Sequence, residues 1–163
     1  MAFDAFLKLD GIKGESADAK HKDEIDISSF SWGVAQTGVS ATGGGGGAGK
    51  SHFQDIHFVK KSDASSPLLM LKCATGEHIK QGNFVVRKAG GTQLEYLKIK
   101  LTDILVSSYK EHGSIDGSDA IPMEQISINF AKVEYAYQTQ GADGKAQGGP
   151  ILAGWDVKQN QKV

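Results

Sequence analysis

One cysteine, three prolines and no long apolar run set the first limits on this 163-residue chain. With Cys73 alone, no internal disulfide can form, so stability must come from packing. No stretch approaches the ~20 apolar residues of a membrane helix. The opening Met1-Ala2-Phe3-Asp4-Ala5-Phe6-Leu7-Lys8 carries an acid at position 4 and no apolar core of signal-peptide length. These absences predict a protein made and folded in the cytosol, which needs a dedicated machine if it is to leave the cell. A surplus of either charge is missing too. Eighteen Lys and Arg stand against 19 Asp and Glu, a net charge of -1. Nothing there draws the chain to nucleic acid or to an anionic membrane.

What remains is one domain's worth of chain, residues 1–163, long enough for a real core. The apolar fraction of 39% is slightly low, which suits a protein that keeps one face wet. Glycine is in excess, 21 residues, or about 13% against a usual ~7%. Much glycine with little proline points to turns and a long pliant loop rather than to a rod.

Most of the chain alternates apolar and polar residues, the period of a strand. The pattern predicts strands at Ala5–Leu9, Glu24–Gln36, His52–Lys60, Asn83–Lys88, Leu94–Tyr109, Met123–Thr139 and Ile151–Lys158. In the second, Phe30 and Trp32 share one face while Ser29, Ser31 and Gly33 share the other. In the third, Phe53, Ile56 and Val59 also fit helical spacing. The Met123–Thr139 strand changes phase: Ile126, Ile128 and Phe130 have one parity, Val133, Tyr135 and Tyr137 the other. A bulge near Ala131-Lys132 would reconcile the halves, as would burial on different faces along the strand. One helix is expected between Ser62 and Gly76, with a capping residue, Pro67 in its first turn and a closing glycine. Met70 and Cys73 within it read as core filler. The sum is a mainly β chain with one helix, a small barrel or sandwich whose long strands leave edges in need of a partner.

The run Gly44 to Ser51 spells G-x-x-x-x-G-K-[ST], the phosphate-binding loop. A working loop needs a buried strand before it and a helix after it, so that the helix N-terminus meets the anion. The entering segment AQTGVSA is not a buried strand, and the segment after Ser51 reads as a strand. Nor do strands and helices alternate as in a nucleotide-binding sheet. Five consecutive glycines also carry a large ordering entropy. The better reading is a mobile loop that lies against a neighbouring surface, with Lys50 seeking an acidic partner. A nucleotide-binding protein using Gly44–Ser51 is the competing alternative.

Other chemistry finds little support. His21, His52, His57, His78 and His112 do not pair at zinc-ligand spacing, with one another or with Cys73. No G-x-S-x-G elbow occurs. Lys60-Lys61 reads as a solvated pair of charges. Basic clusters are not interleaved with aromatics, as nucleic-acid binding would require. No catalytic set, cofactor or metal site is expected.

Several stretches, in order over nearly the whole chain, resemble one family. They are Gly14-Glu15-Ser16, Glu24-Ile25-Asp26 leading into Ser31-Trp32-Gly33, the GGGGGAGK loop, Arg87-Lys88-Ala89-Gly90-Gly91 with Glu95-Tyr96, Leu105-Val106-Ser107-Ser108, Asn129-Phe130-Ala131, and Gly148-Gly149-Pro150 before Gly154-Trp155-Asp156. The set is similar to the haemolysin co-regulated protein (Hcp) family, the inner-tube proteins of type VI secretion in Gram-negative bacteria. The resemblance implies two packed β-sheets forming a barrel with one α-helix on the side, and a homohexameric ring. It implies rings stacked into a tube that a contractile sheath and baseplate propel, with a spike protein at the tip and effector proteins in the lumen. It implies no enzyme activity, and a protein that is cytoplasmic before firing and then secreted, to the medium or a target cell, without membrane insertion. Carried onto this sequence, it places Gly43, Gly44, Gly45, Gly46, Gly47, Ala48, Gly49 and Lys50 at the contact between rings. Ser29 and Ser31 become candidates for the lumen wall, where small polar side chains suit varied cargo. The competing account is that Phe30 and Trp32 simply mark the barrel core and Ser31 is an ordinary residue near a turn.

Overall fold

Alternation becomes strand almost wherever it occurs. The computed structural model describes residues 3–36, 49–117 and 120–163. Their order is β1 (Phe3–Leu9), β2 (Ile25–Ile27), β3 (Ser29–Ser31), β4 (Val34–Gln36), β5 (Ser51–Phe53), β6 (Ile56–Lys61), α1 (Ser66–Thr75), β7 (Ile79–Lys88), β8 (Glu95–His112), β9 (Met123–Tyr137), β10 (Ile151–Asp156) and β11 (Gln161–Lys162).

All strand pairs are antiparallel, and the main sheet closes on itself. β7 pairs with β8, β8 with β9, and β7 also with β1. β1 pairs with β2, and β3, one residue further on, pairs with β6. The Ser28 amide donates to the Val59 carbonyl at 2.8 Å and carries the bend between β2 and β3. β6 then returns to the first half of β9, from Ile56 opposite Ile128 to Lys61 opposite Met123. The closed barrel holds one apolar cluster, in which Leu7, Ile25, Ile56, Phe58, Phe84, Leu101, Ile104, Ile126 and Ile128 are wholly buried. The second half of β9 runs on and pairs with β10.

Two expected strands are divided. Glu24–Gln36 is three short strands, because the chain crosses from β1 to β6 and then departs from the barrel as β4. His52–Lys60 is β5 and β6, with Gln54 donating its amide to Gly33 at the break. The helical spacing of Phe53, Ile56 and Val59 is not realised. The phase change in β9 is real, but pairing with β8 stays in register across Ala131-Lys132, and the shift lies between Val106 and Ser108. β8 changes phase opposite, from Leu101 to Ile104, across Asp103 with a left-handed φ of 56°. The two strands therefore change buried face together.

The helix starts at Ser66 because Asp63 to Ser65 form a tight turn, with the Ser65 amide on Asp63 Oδ1 at 2.9 Å and the Asp63 amide on Ser66 Oγ at 2.9 Å. Pro67 sits in the first turn, and Gly76 (φ 70°) closes the helix with its amide on the Lys72 carbonyl at 3.0 Å. Leu69 anchors the helix and is wholly buried, and Cys73, one turn on, packs against the core. Met70 is not core filler. It lies about 100° round from Leu69 and is 49% exposed, beside exposed Leu68 and Leu71.

Candidate functional site

β3 presents Ser29 and Ser31 outward, while Phe30 turns inward onto Phe84, with ring centroids 4.7 Å apart. Trp32 packs against the core and stacks on Tyr135 at 5.7 Å. The division of faces expected from the sequence is the one observed. Directly opposed residues of an antiparallel ladder share a face, so the ladder shows what lies beside the two serines. Ser31 faces His57, and His57 faces Ser127. His57 Nδ1 and Ser127 Oγ are 2.7 Å apart. Just beyond, Asp55 accepts from Ser107 Oγ at 2.6 Å and from Asn129 Nδ2 at 3.0 Å. On the outer face, Ser31, His57 and Ser127 thus form one polar row and Asp55, Ser107 and Asn129 a second polar group, while Ser29 faces Val59. Sequence reasoning singled out Ser29 and Ser31 for this face and did not single out His57, Ser127, Asn129, Asp55 and Ser107, which lie near them. The signal was present: Ser127 and Asn129 alternate with the apolar Ile126, Ile128 and Phe130.

β4 and β5 form a separate two-stranded sheet, Val34 opposite Phe53 and Gln36 opposite Ser51. Of the expected ring-contact residues, Gly43, Gly44, Gly45, Gly46, Gly47 and Ala48 lie outside the described residues. Gly49 and Lys50 lead directly into β5. A strand, not a helix N-terminus, therefore follows the Gly-Lys-Ser spelling. The aligned helix amides that hold a phosphate in a nucleotide-binding loop are not there.

β10 is the strand at which the main sheet opens. β9 satisfies one side; on the other, β11 covers only Trp155 and Asp156. Ile151 and Leu152 are 65% and 72% exposed, and Tyr137 opposite Ile151 is also exposed.

The family model described as "Type VI secretion system effector, Hcp" matches residues 6–137. The chain belongs to the Hcp family. Protein hcp1 of Pseudomonas aeruginosa is 48% identical over 161 residues, covering 98% of both chains. Among solved structures, Hcp1 from Salmonella typhimurium is 39% identical, covers 100% of both chains and superimposes with a TM-score of 0.81. A type six secretion system protein at 32% identity covers 99% of this chain and 100% of its own, with a TM-score of 0.93.

Two charge networks, one buried and one part-buried, tie elements of the Hcp barrel together. Lys60, expected to be solvated, is wholly buried: its Nζ donates to Glu124 Oε2 at 2.6 Å and lies 3.0 Å from Asp63 Oδ1. Lys60 and Phe58 share strand parity, so the side chain enters the barrel with the core residues, and only Lys61 points out. Tyr109 Oη donates to Glu124 Oε1 at 2.7 Å. Burial raises the Glu124 carboxyl, but the bonds from Lys60, Ser66 and Tyr109 outweigh it and leave it below its ordinary value. Burial, then the Glu124 acceptor, pushes the Tyr109 phenol well above its usual range. In the second network Arg87, 2% exposed, reaches Asp18 and Asp4 and stands 4.9 Å over the Phe6 ring. The Arg87 hydrogen bond brings the Asp18 carboxyl down to about 2. Among the described residues, no helix is long and apolar enough to cross a membrane, and no three His, Cys, Asp or Glu gather as a metal site.

Proposed function

We propose that this Hcp chain, one domain over residues 1–163, is the inner-tube subunit of a type VI secretion system. Six copies close into a ring, rings stack into a tube, and sheath and baseplate drive the tube out with a spike protein at its tip. The protein is cytoplasmic until firing and secreted afterwards, and its role is structural rather than enzymatic. The observation that carries the reading is the open β10 edge, a strand paired with β9 on one side and left largely uncovered on the other, with exposed Ile151 and Leu152, on a barrel otherwise closed. An isolated subunit would leave that edge as a template for pairing; a ring of copies gives it a constant partner. Family membership supplies the context. Gly43 to Lys50, between β4 and β5, serve the contact between rings. The polar face of Ser29, Ser31, His57 and Ser127 lines the lumen and shelters effector proteins.

Light scattering on a size-exclusion column, with negative-stain images of the peak, tests the reading. Six copies of 17.3 kDa give about 104 kDa for a closed ring. Rings at that mass support it. A 17.3 kDa monomer at every concentration removes it.

A further inference from the structure

The connection between β1 and β2 runs from Asp10 to Glu24 and is held largely by hydrogen bonds. Gly14 and Ser16 donate their amides to the Asp23 and Glu24 carbonyls at 2.8 and 3.0 Å, and the Asp23 amide returns to the Ser16 carbonyl at 2.9 Å. His21, 6% exposed, ties the connection to β8 through its side chain, with both ring nitrogens in contact. Its Nδ1 lies 2.9 Å from Glu24 Oε2, and its Nε2 lies 2.7 Å from Glu95 Oε1, at the start of β8. The ring stacks on Phe6 with centroids 4.3 Å apart and planes 9° from parallel, so it cannot swing to trade one partner for another without leaving β1.

An ionised carboxylate only accepts hydrogen bonds. Each contact therefore needs an N–H from the ring. A neutral imidazole has one N–H and sets a lone pair against the other carboxylate; an imidazolium has two. We propose that His21 is a proton-dependent clip, which ties the β1–β2 connection to β8 when both ring nitrogens are protonated and lets one tie go when a proton is lost. The other charges about it are Asp18 on the same connection, Arg87 from β7 over the other contact of Phe6, Asp4 of β1 bound to that arginine, and Lys98 beside Glu95 at 3.3 Å. Burial raises the Glu95 carboxyl, but bonds from His21 and Lys98 outweigh it and hold it low. Glu95 therefore stays charged to lower pH than an ordinary glutamate. The clip is closed where both carboxylates are ionised and the ring carries two protons, and it opens as pH rises and the second proton leaves.

Labelling histidine at Cε1 and following the assembled protein by NMR from about pH 5 to about pH 8 reads the ring directly. A His21 signal that passes from imidazolium to a single tautomer is expected. Over the same range, amides of Ser16, Asp23 and Glu24 should lose hydrogen-exchange protection relative to the barrel amides of β7. The melting advantage of wild type over His21→Gln, which cannot gain a proton, should fall by about half or more between mildly acidic and mildly basic pH. Glu95→Gln should flatten that dependence. A ring in one protonation state throughout, or a melting advantage that does not vary with pH, overturns the proposal. The NMR titration uses wild type alone, so a variant that fails to fold leaves the test standing.

Discussion

Lys60 and Glu124 show how a single residue can defeat pattern reading. A lysine beside another lysine reads as solvated surface; here strand parity sends one of the two inward, where Glu124, Asp63 and Ser66 meet it. Nothing in the Lys60-Lys61 pair signals a partner 64 residues away. Removing one partner of a buried pair leaves the other charge stranded, at a cost of about 3–5 kcal/mol, whereas replacing both with apolar groups of similar volume is often tolerated. Asp63 still stands 3.0 Å from Lys60 Nζ, so Glu124→Ala is expected to destabilise toward the lower end of that range in urea unfolding, and Lys60→Met with Glu124→Leu by less. Equal losses would mean the pair acts through more than its charge. Asp18 gives a second test at this scale. Its folded carboxyl titrates near about 2, chiefly because Arg87 donates to it, against an ordinary ~3.9. A depressed carboxyl contributes stability above its unfolded value and loses it as pH falls toward the folded one. Lysine cannot reproduce the guanidinium fork, so Arg87→Lys should return the Asp18 titration toward about 3.9 in carboxyl NMR and shift the acid-unfolding midpoint upward.

Among the elements, the long strands and the helix were legible because periodicity over many residues averages out local exceptions. The short ones were not. β2, β3 and β4 read as one strand because polar and apolar residues keep mixing through Ser28 and Trp32, yet the inward parity flips from Ile25 and Ile27 to Phe30 and Trp32 across Ser28; the flip marks the bend, and the change of partner there is a tertiary fact. Met70 was misplaced because a ten-residue helix touching the barrel along one stripe buries little, so apolar character alone does not say which face is in. Glycines separate the same way. At Gly14 a Cβ would meet the Glu24 carbonyl oxygen at 2.5 Å and Ile25 Cα at 2.8 Å, all backbone. At Gly91 nothing lies within 4 Å. Gly14→Ala must push the 14–16 segment off residues 23–25 and is expected to cost about 1–3 kcal/mol by overpacking. Gly91→Ala should melt within about 0.5 kcal/mol of wild type, as open surface positions do. Differential scanning calorimetry of the two variants compares them directly; a Gly14→Ala protein as stable as wild type would mean the connection yields without loss.

For the whole molecule, the sequence led to the expectation of a partnered edge without showing where such an edge would lie. Long strands implied edges, yet nothing in Ile151-Leu152-Ala153 distinguishes an edge strand from a buried one; the brevity of β11 does, and it is visible only in the ladder. The same exposure makes the edge a clean target. Ile151 and Leu152 are already 65% and 72% exposed in the single chain, so charging them removes little burial from the fold, and surface substitutions of this kind cost about 0.5 kcal/mol or less. If copies close a ring over this edge, each charge must instead be buried in every seam, with no partner residue set against it, and unpaired buried charge is among the costliest changes a contact can suffer. Ile151→Asp with Leu152→Asp is therefore expected to yield a protein whose circular dichroism and melting match wild type, but whose light-scattering mass is 17.3 kDa. A folded monomer would assign the ring seam to β10. Intact rings would keep the assembly and move its seam elsewhere, with the exposed face of α1 at Leu68, Met70 and Leu71 the next surface to charge.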